Sequence, residues 1–395
     1  MKKSIVKLFV IFAVTAGTLA SCSSSDESTP SGPSSSFTAN ANDFKGTIND
    51  GVVTLVAGAT YKLTGKIQVN SGATLTIPAG TRIEGTGGTS AYIAVAQGGK
   101  INILGTAANP VVMTSGLTTK NAGDWGGLVI CGKAPINRGT VTAQSEVADL
   151  TYGGTVANDN SGVIQYLRIE YSGAAFNTEK EFNGVSFFGV GSGTVVENVE
   201  VYHGADDGFE FFGGTVNTSN LISIGNEDDQ FDWTEGWNGT NTNWYGKLAF
   251  GKGNRGIEAD NYEFNFDANP VSNPTITNLT LIGAGSAADA TAYPENQALK
   301  LRRGTKGMFS HVVLKDFKTG YDVEHDQTIS FIGTTLKGTN TKFEGIGSNA
   351  KGKKTDGSSV SNEIANAVFT ESAAATGAGN GTASPSWATG WTVGF

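Results

Sequence analysis

The stretch His203–Trp237, HGADDGFEFFGGTVNTSNLISIGNEDDQFDWTEGW, holds one pattern twice. Asp206-Asp207-Gly208-Phe209-Glu210-Phe211 recurs 22 residues later as Asp228-Asp229-Gln230-Phe231-Asp232-Trp233. A repeat this short can bury its apolar face only by stacking on its own copy, so residues one repeat apart are expected directly above one another. Period-two alternation turns Phe209, Phe211, Phe231 and Trp233 inward and leaves Glu210 and Asp232 outward, Glu210 over Asp232.

That stacking has an electrostatic consequence. Parallel strands lie about 4.8 Å apart, where two bare carboxylates repel by about 1 kcal/mol in water and by about 3 to 4 kcal/mol at an effective dielectric near 20. From Glu181 to Gly246 the chain carries eleven Asp or Glu and no Lys or Arg. Nothing in that linear window offsets the repulsion. Protonation, with raised pKa values, is one answer. A hard cation is the other. Asp206, Asp207, Asp228 and Asp229 fall in turns whose carbonyls are also free to ligate, and Glu210 and Asp232 begin the following strands. Together they suit the six to eight oxygen ligands that Ca2+ takes. Ca2+ is therefore the expected cofactor, and Zn2+, which seeks thiolates, is not. The plainer alternative is a set of solvated acidic turns.

Working outward, Gly72–Ile77 recurs 26 residues on as Gly98–Ile103, and Ile67-Gln-Val69 as Ile93-Ala-Val95. Leu167–Tyr171 recurs 32 residues on as Val199–His203, and Asn198–Val201 recurs 22 on as Asn220–Ser223, with Asn278–Leu281 of the same type. Coils of varying length with fixed strand spacing predict an all-β fold, a right-handed parallel β-helix over 43–345, in which turns absorb insertions. Asn198, Asn220 and Asn278 read as an asparagine ladder, each side chain bonding its copy in the next coil. The period-two rule also turns Ile257, Ala259, Leu299, Leu301, Tyr321 and Val323 inward. Outside it leaves two columns: Glu210, Asp232, Glu258, Lys300, Asp322 and, beside them, Phe212, Thr234, Asp260, Arg302, Glu324. Lys300 stacked with Asp322 also reads as simple mutual charge satisfaction.

At the other end of the chain, residues 1–21 combine Lys2, Lys3 and Lys7 with the apolar run Leu8–Val14, the layout of a secretory signal too short to span a bilayer. Leu19-Ala20-Ser21-Cys22 resembles the lipobox of bacterial lipoproteins, which implies cleavage before Cys22 and lipidation of its thiol. Residues 22–42 begin with a Ser/Pro-rich run that has nothing to bury and forms a tether reaching on the order of 20 Å. Its Asp26-Glu27 resembles the surface-export signal of Bacteroidetes lipoproteins. Removing the leader takes three of the 27 Lys and Arg and none of the 36 Asp and Glu, leaving 24 against 36, or −12. That balance argues against nucleic acid and anionic lipid as partners. Cys131 is then the only thiol left, so no intramolecular disulfide is possible; after Leu128-Val129-Ile130 it reads as core. Beyond the β-helix, 346–395 reads as a loop, a short helix near 361–369 and a C-terminal cap.

Gly123-Asp-Trp-Gly-Gly-Leu-Val-Ile130, Pro135-Ile-Asn137, Gly191-Ser-Gly-Thr194, Asp206-Asp-Gly-Phe-Glu210, Gly213-Gly-Thr-Val216, Gly256-Ile-Glu258 and Leu301-Arg-Arg-Gly304 together resemble a family of Bacteroidetes β-helix lipoproteins, over roughly 60–345. The resemblance implies an outer-membrane lipoprotein with a right-handed parallel β-helix, a TonB-dependent receptor as partner, and no assigned activity.

Three functions compete. The first is a surface-exposed binding module that captures a glycan. Its ligand residues would be Trp237 and Trp244, from the aromatic set that also includes Trp233, Tyr245, Tyr262, Phe264 and Phe266, together with Glu258, Asp260, Lys300 and Arg302. The second is a Ca2+-dependent polysaccharide lyase or a glycoside hydrolase, with Arg302 or Lys300 as base or Glu210 and Glu258 as an acid pair. No catalytic residue is assigned for it, because the strand motifs carry no second catalytic signature and fold analogy is a weak warrant. The third is a structural or adhesive surface protein. Among the histidines, His203 reads as a turn residue, and His311 and His325 have no evident partner. The anchor is directly testable: Cys22→Ser should release the protein from the outer membrane on fractionation, and continued tight association of the variant would refute it.

Overall fold

The β-branched runs between glycine turns form 24 strands of a single parallel sheet that winds on itself. The computed structural model describes residues 32–395, so the leader, Cys22 and the first part of the tether lie outside the described residues. Each coil presents up to three faces. The first stacks Ile93–Val95, Leu128–Cys131, Val185–Phe188, Phe209–Phe212, Phe231–Thr234, Ile257–Ala259, Gln297–Leu301, Thr319–Glu324 and Ser348–Lys353. The second and third are the two halves of longer strands, such as Val195–Tyr202, Asn217–Ile224, Thr240–Lys247 and Thr275–Ile282. The expected registers hold: Ile67 pairs with Ile93, Leu75 with Ile101, Leu167 with Val199, Val199 with Leu221, and Glu210 with Asp232.

One residue per coil makes the corner between the second and third faces. Tyr166, Asn198, Asn220, Asn243, Asn278, His311 and Asn340 occupy it, all with φ between 49° and 64°. Among L residues asparagine tolerates this left-handed conformation best, because its short amide can hydrogen-bond locally. Here the amides bond along the axis: Asn220 Nδ2 to Asn198 Oδ1 at 2.9 Å, Asn243 to Asn220 at 2.8 Å and Asn278 to Asn243 at 2.8 Å. Asn243 completes a ladder of which the sequence repeats reveal only the other members.

The interior follows the same like-on-like rule. Phe209 stacks on Phe231 at 5.6 Å, Phe187 on Phe211 at 5.0 Å, and Phe231 on Trp244 at 4.4 Å. All ten positions expected to face inward on the acidic face, from Phe209 to Val323, are 0 % exposed. Cys131 is a buried free thiol, pushed up to about 12 by burial.

The C-terminal end departs from expectation. Strands continue past 345: Ser348–Lys353 pairs with Thr319–Glu324, and Phe369–Glu371 with Leu336–Glu344. A short helix, Asn362–Asn366, lies between them, its first turn capped by the Ser361 side chain. Residues 372–395 do not cap the end. They run back along the third face, where Ala378, Ala388 and Trp391 bury Ile222, Ile224 and Tyr245. The cause is a row of outward apolar residues on that face, which solvent would otherwise meet.

Replacing Asn243 with Ala removes two ladder bonds and leaves a Cβ residue without a local amide in the left-handed region. A loss of about 2 to 3 kcal/mol is expected from the denaturant midpoint. Asn243→Gly, free of the conformational cost, should lose less, and equal losses would show that the corner conformation carries no strain.

Candidate cation and ligand site

On the outer side of the first face, Glu210, Asp232 and Glu258 stand on successive rungs. Here the coils are longest. Val185 pairs with Leu128, 57 residues earlier, and Leu299 with Ile257, 42 residues earlier. The extra chain becomes walls. One wall carries the hairpin Ala143–Gln144/Thr151–Tyr152 with Glu146 at its turn, and the other carries Tyr262 and Phe264. Asn137 ties the walls together, donating from Nδ2 to Asn261 Oδ1 at 2.8 Å and to the Pro270 carbonyl at 2.9 Å. Between them lies a cleft of about 460 Å³ lined by Glu146, Glu210, Asp232, Glu258, Tyr262, Phe264 and Arg302, among others. A recess of about 370 Å³ shares Glu146, Lys180, Glu210 and Asp232 with it and reaches Asp206, Asp207 and Asp228.

Three sets of carboxylate oxygens lie within 4.8 Å of one another: Asp206/Asp207/Asp228, Asp207/Glu210/Asp232 and Asp229/Asp232/Glu258. All six sequence-predicted cation ligands are among them, joined by Glu258. Asp207 and Asp232 each belong to two sets, so the acids form one seam across three rungs. Burial, reinforced by the neighbouring carboxylates, raises Asp206, Asp207, Glu210, Asp229 and Asp232 well above the usual range. For Glu146, burial and then Glu235 push the carboxyl up to about 7. An all-oxygen donor set of this charge fits a hard divalent cation.

Two of the acids also have structural work. Asp207 Oδ1 accepts the Asp229 N–H at 2.8 Å, and Asp229 Oδ1 accepts the Arg255 N–H at 2.7 Å. Glu210 is positioned by Asn183, whose Nδ2 donates to Oε2 at 2.7 Å.

Several sequence expectations need correction. Cations do reach part of the seam: Arg255 Nη1 lies 3.2 Å from Asp229 and 2.8 Å from Glu258. Arg255 is far from Asp229 in the linear chain but adjacent in the stack. Asp206, Asp207, Glu210, Asp228 and Asp232 have no ion pair among the described residues. Trp237 and Trp244 are not ligand residues, since both are 0 % exposed. Trp237 stacks on Phe211 at 4.1 Å, and Trp244 sits in register with Leu221, an inward position. Of the aromatic set, Phe264 is 74 % exposed at the cleft rim, with Tyr262 at 5.5 Å.

The lower rungs are self-neutralised. Lys300 is 5 % exposed and pairs with Asp322 at 3.0 Å and Glu324 at 2.7 Å, so it is not available as a ligand contact or base. Burial alone would raise Glu324, but Lys300 and Lys353 outweigh it and hold that carboxyl at about 2. Arg302 bridges Glu258 at 2.5 Å and Asp260 at 2.8 Å while still lining the cleft. Asp260 is 6 % exposed and also holds Arg303 at 2.6 Å. His325 does have a partner: its Nδ1 accepts the Arg303 N–H at 3.1 Å. Sequence reasoning missed Glu146, Lys180 and Arg255. The long coils that carry the first two were the available signal.

A parallel β-helix with a carboxylate-lined cleft on one outer face is the class of protein these features define. The family model for the pectate-lyase-like β-helix domain matches residues 46–392, and the chain belongs to that family. No curated protein and no solved structure matches the chain.

The acids give a pH dependence whose sign follows from their direction of shift. A carboxyl raised in the folded state contributes most while protonated in both states, and that contribution is lost as pH rises from the unfolded value through the folded one. In chelator, the protein should therefore be less stable at pH 8 than at pH 5. Ca2+ at about 100 times its dissociation constant should restore roughly 2.7 kcal/mol at pH 8 and much less at pH 5. Asp232→Asn, which touches two of the oxygen sets, should abolish the gain, and identical melting curves with and without Ca2+ at pH 8 would exclude the cation.

Proposed function

We propose that the protein is a lipid-anchored surface protein that binds a glycan in this cleft with the aid of Ca2+. The observation that carries the reading is the meeting, in one cleft, of the exposed ring of Phe264 and a carboxylate seam only partly offset by cations. Oxygen ligands on a cation and the hydroxyl groups of a sugar suit each other, since a carboxylate-bound Ca2+ keeps coordination positions that hydroxyl or carboxylate oxygens can fill. Phe264 offers an exposed ring face to a sugar, with Tyr262 edge-on beside it. Arg302, held by Glu258 and Asp260, presents its remaining donors from a fixed position. The lipobox-like Leu19–Cys22 and the following tether support a position outside the cell, at the outer membrane. From there a TonB-dependent receptor would receive the ligand.

A second reading, a Ca2+-dependent polysaccharide lyase or a glycoside hydrolase, is favoured by one residue. Glu146, with its carboxyl at about 7, faces the acidic rungs across the cleft and has the proton affinity of a general acid near neutral pH.

Glycan-array binding of the metal-free protein, with and without added Ca2+, tests the first reading. Binding should require Ca2+ and fall about tenfold in Phe264→Ala, the loss of roughly 1.4 kcal/mol of ring contact. Binding indifferent to both chelator and Phe264 would refute it. New unsaturated or reducing ends released from the bound polymer, and lost in Glu146→Gln, would establish the second.

A further inference from the structure

The third face of the solenoid is closed by the chain's own C-terminal segment, away from the cleft. Residues 372–395 contain no charged side chain. They leave the last rung at Glu371 and cross back over at least four rungs. The Ala378 N–H donates to Thr280 Oγ1 at 2.9 Å, and that hydroxyl donates to the Gly381 carbonyl at 2.9 Å. Tyr245 Oη then donates to the Thr382 carbonyl at 3.2 Å, and the Val393 N–H reaches Glu200 at 2.9 and 3.1 Å. Trp391 is the anchor: 1 % exposed, it meets Tyr166 edge-on at 5.8 Å. Side chains and isolated bonds hold this segment, which pairs with no strand.

Glu200 is the anomaly beneath it. The outward column at this position reads Arg168, Glu200, Ile222, Tyr245 and Thr280. Glu200 is 0 % exposed, and its hydrogen-bond donor is the Val393 amide. Arg168, one rung away, is engaged instead with Glu170 at 2.5 Å. A glutamine here would pack and bond in the same way without a charge. A glutamate makes the seating of the segment depend on whether that carboxyl is ionised.

We propose that residues 386–395 are a proton-gated latch. The segment seats on the third face while Glu200 carries a proton and lifts when the carboxylate ionises, uncovering Ile222, Ile224 and Tyr245.

Burial pushes Glu200 up to about 8, with the Val393 amide and Arg168 acting against it and Glu170 with it. Tyr202 is the other titratable group near it on its own strand. Neither Ile222 on the next rung nor the segment itself brings a titratable side chain. With the segment lifted, Glu200 would be an ordinary solvated carboxyl near the usual glutamate value of about 4.3. Seating then takes up a proton between the two values, so the seated state is favoured at low pH. It weakens by up to tenfold per pH unit from about 5 to about 8 and is flat beyond.

Hydrogen–deuterium exchange of the full chain in saturating Ca2+, corrected for intrinsic exchange, reads the latch directly. Protection of 386–395 should fall by about a hundredfold between pH 5.5 and 8 in the native protein, with a parallel rise in binding of an apolar dye, and should stay high throughout in Glu200→Gln. Flat protection in the native protein, or an unchanged fall in Glu200→Gln, would overturn the proposal. Should Glu200→Gln not fold, Trp391→Ala provides the second test. Its Glu200 carboxyl, followed by carbon NMR, should titrate well below that of the native protein, and an unchanged midpoint would overturn the latch.

Discussion

Parallel strands can exchange backbone hydrogen bonds at only one separation, about 4.8 Å, and this spacing governs every part of the molecule. Whatever a coil places at a given position meets its copy at that distance. Asn stacks on Asn at the corner, Phe on Phe inside, and carboxylate on carboxylate outside. The first two are favourable, since amides are both donors and acceptors and rings attract through dispersion. The third is not, and the protein keeps it.

How the acids are accommodated divides the first face in two. On the lower rungs Lys300, Arg302, Arg303, Lys351 and Lys353 interleave with Asp260, Asp322 and Glu324, and the charges cancel within the stack. On the upper rungs Asp206, Asp207, Glu210, Asp228 and Asp232 have no cationic partner among the described residues, and burial with mutual repulsion drives the proton affinity of Asp206, Asp207, Glu210 and Asp232 upward. Such a seam favours protonation over standing bare, and its oxygen clusters could hold a divalent cation. The cleft walls rise beside that half, which puts the site's unsatisfied charge and its concave surface in one place.

Those walls and the C-terminal strap share an origin. A β-helix tolerates extra residues only between strands, because an insertion within a strand would break the register above and below it. The 57-residue and 42-residue coils therefore bulge outward from the first face. The uncharged C-terminal segment instead follows the apolar row on the third face, ending over Glu200. The two surfaces lie on different faces of the solenoid, so a change at one need not deform the other.

Residue spacing alone determined the solenoid, its registers, the inward aromatic positions and the six stacked acids, because a period-two strand in a repeating coil leaves each side chain only one choice of face. The Asn ladder was legible for the same reason, apart from Asn243, whose coil repeats at 23 rather than 22 residues from Asn220. Tertiary structure decided everything that depends on chain far away in sequence. It buried Trp237 and Trp244, supplied Arg255 to Asp229 and Lys300 to Glu324, and brought Glu146 and Phe264 into the lining of one cleft. Spacing cannot reach these facts, because long loops fold back by distances that their length does not fix, and a side chain's charge partner is whichever group packing, not sequence, sets beside it.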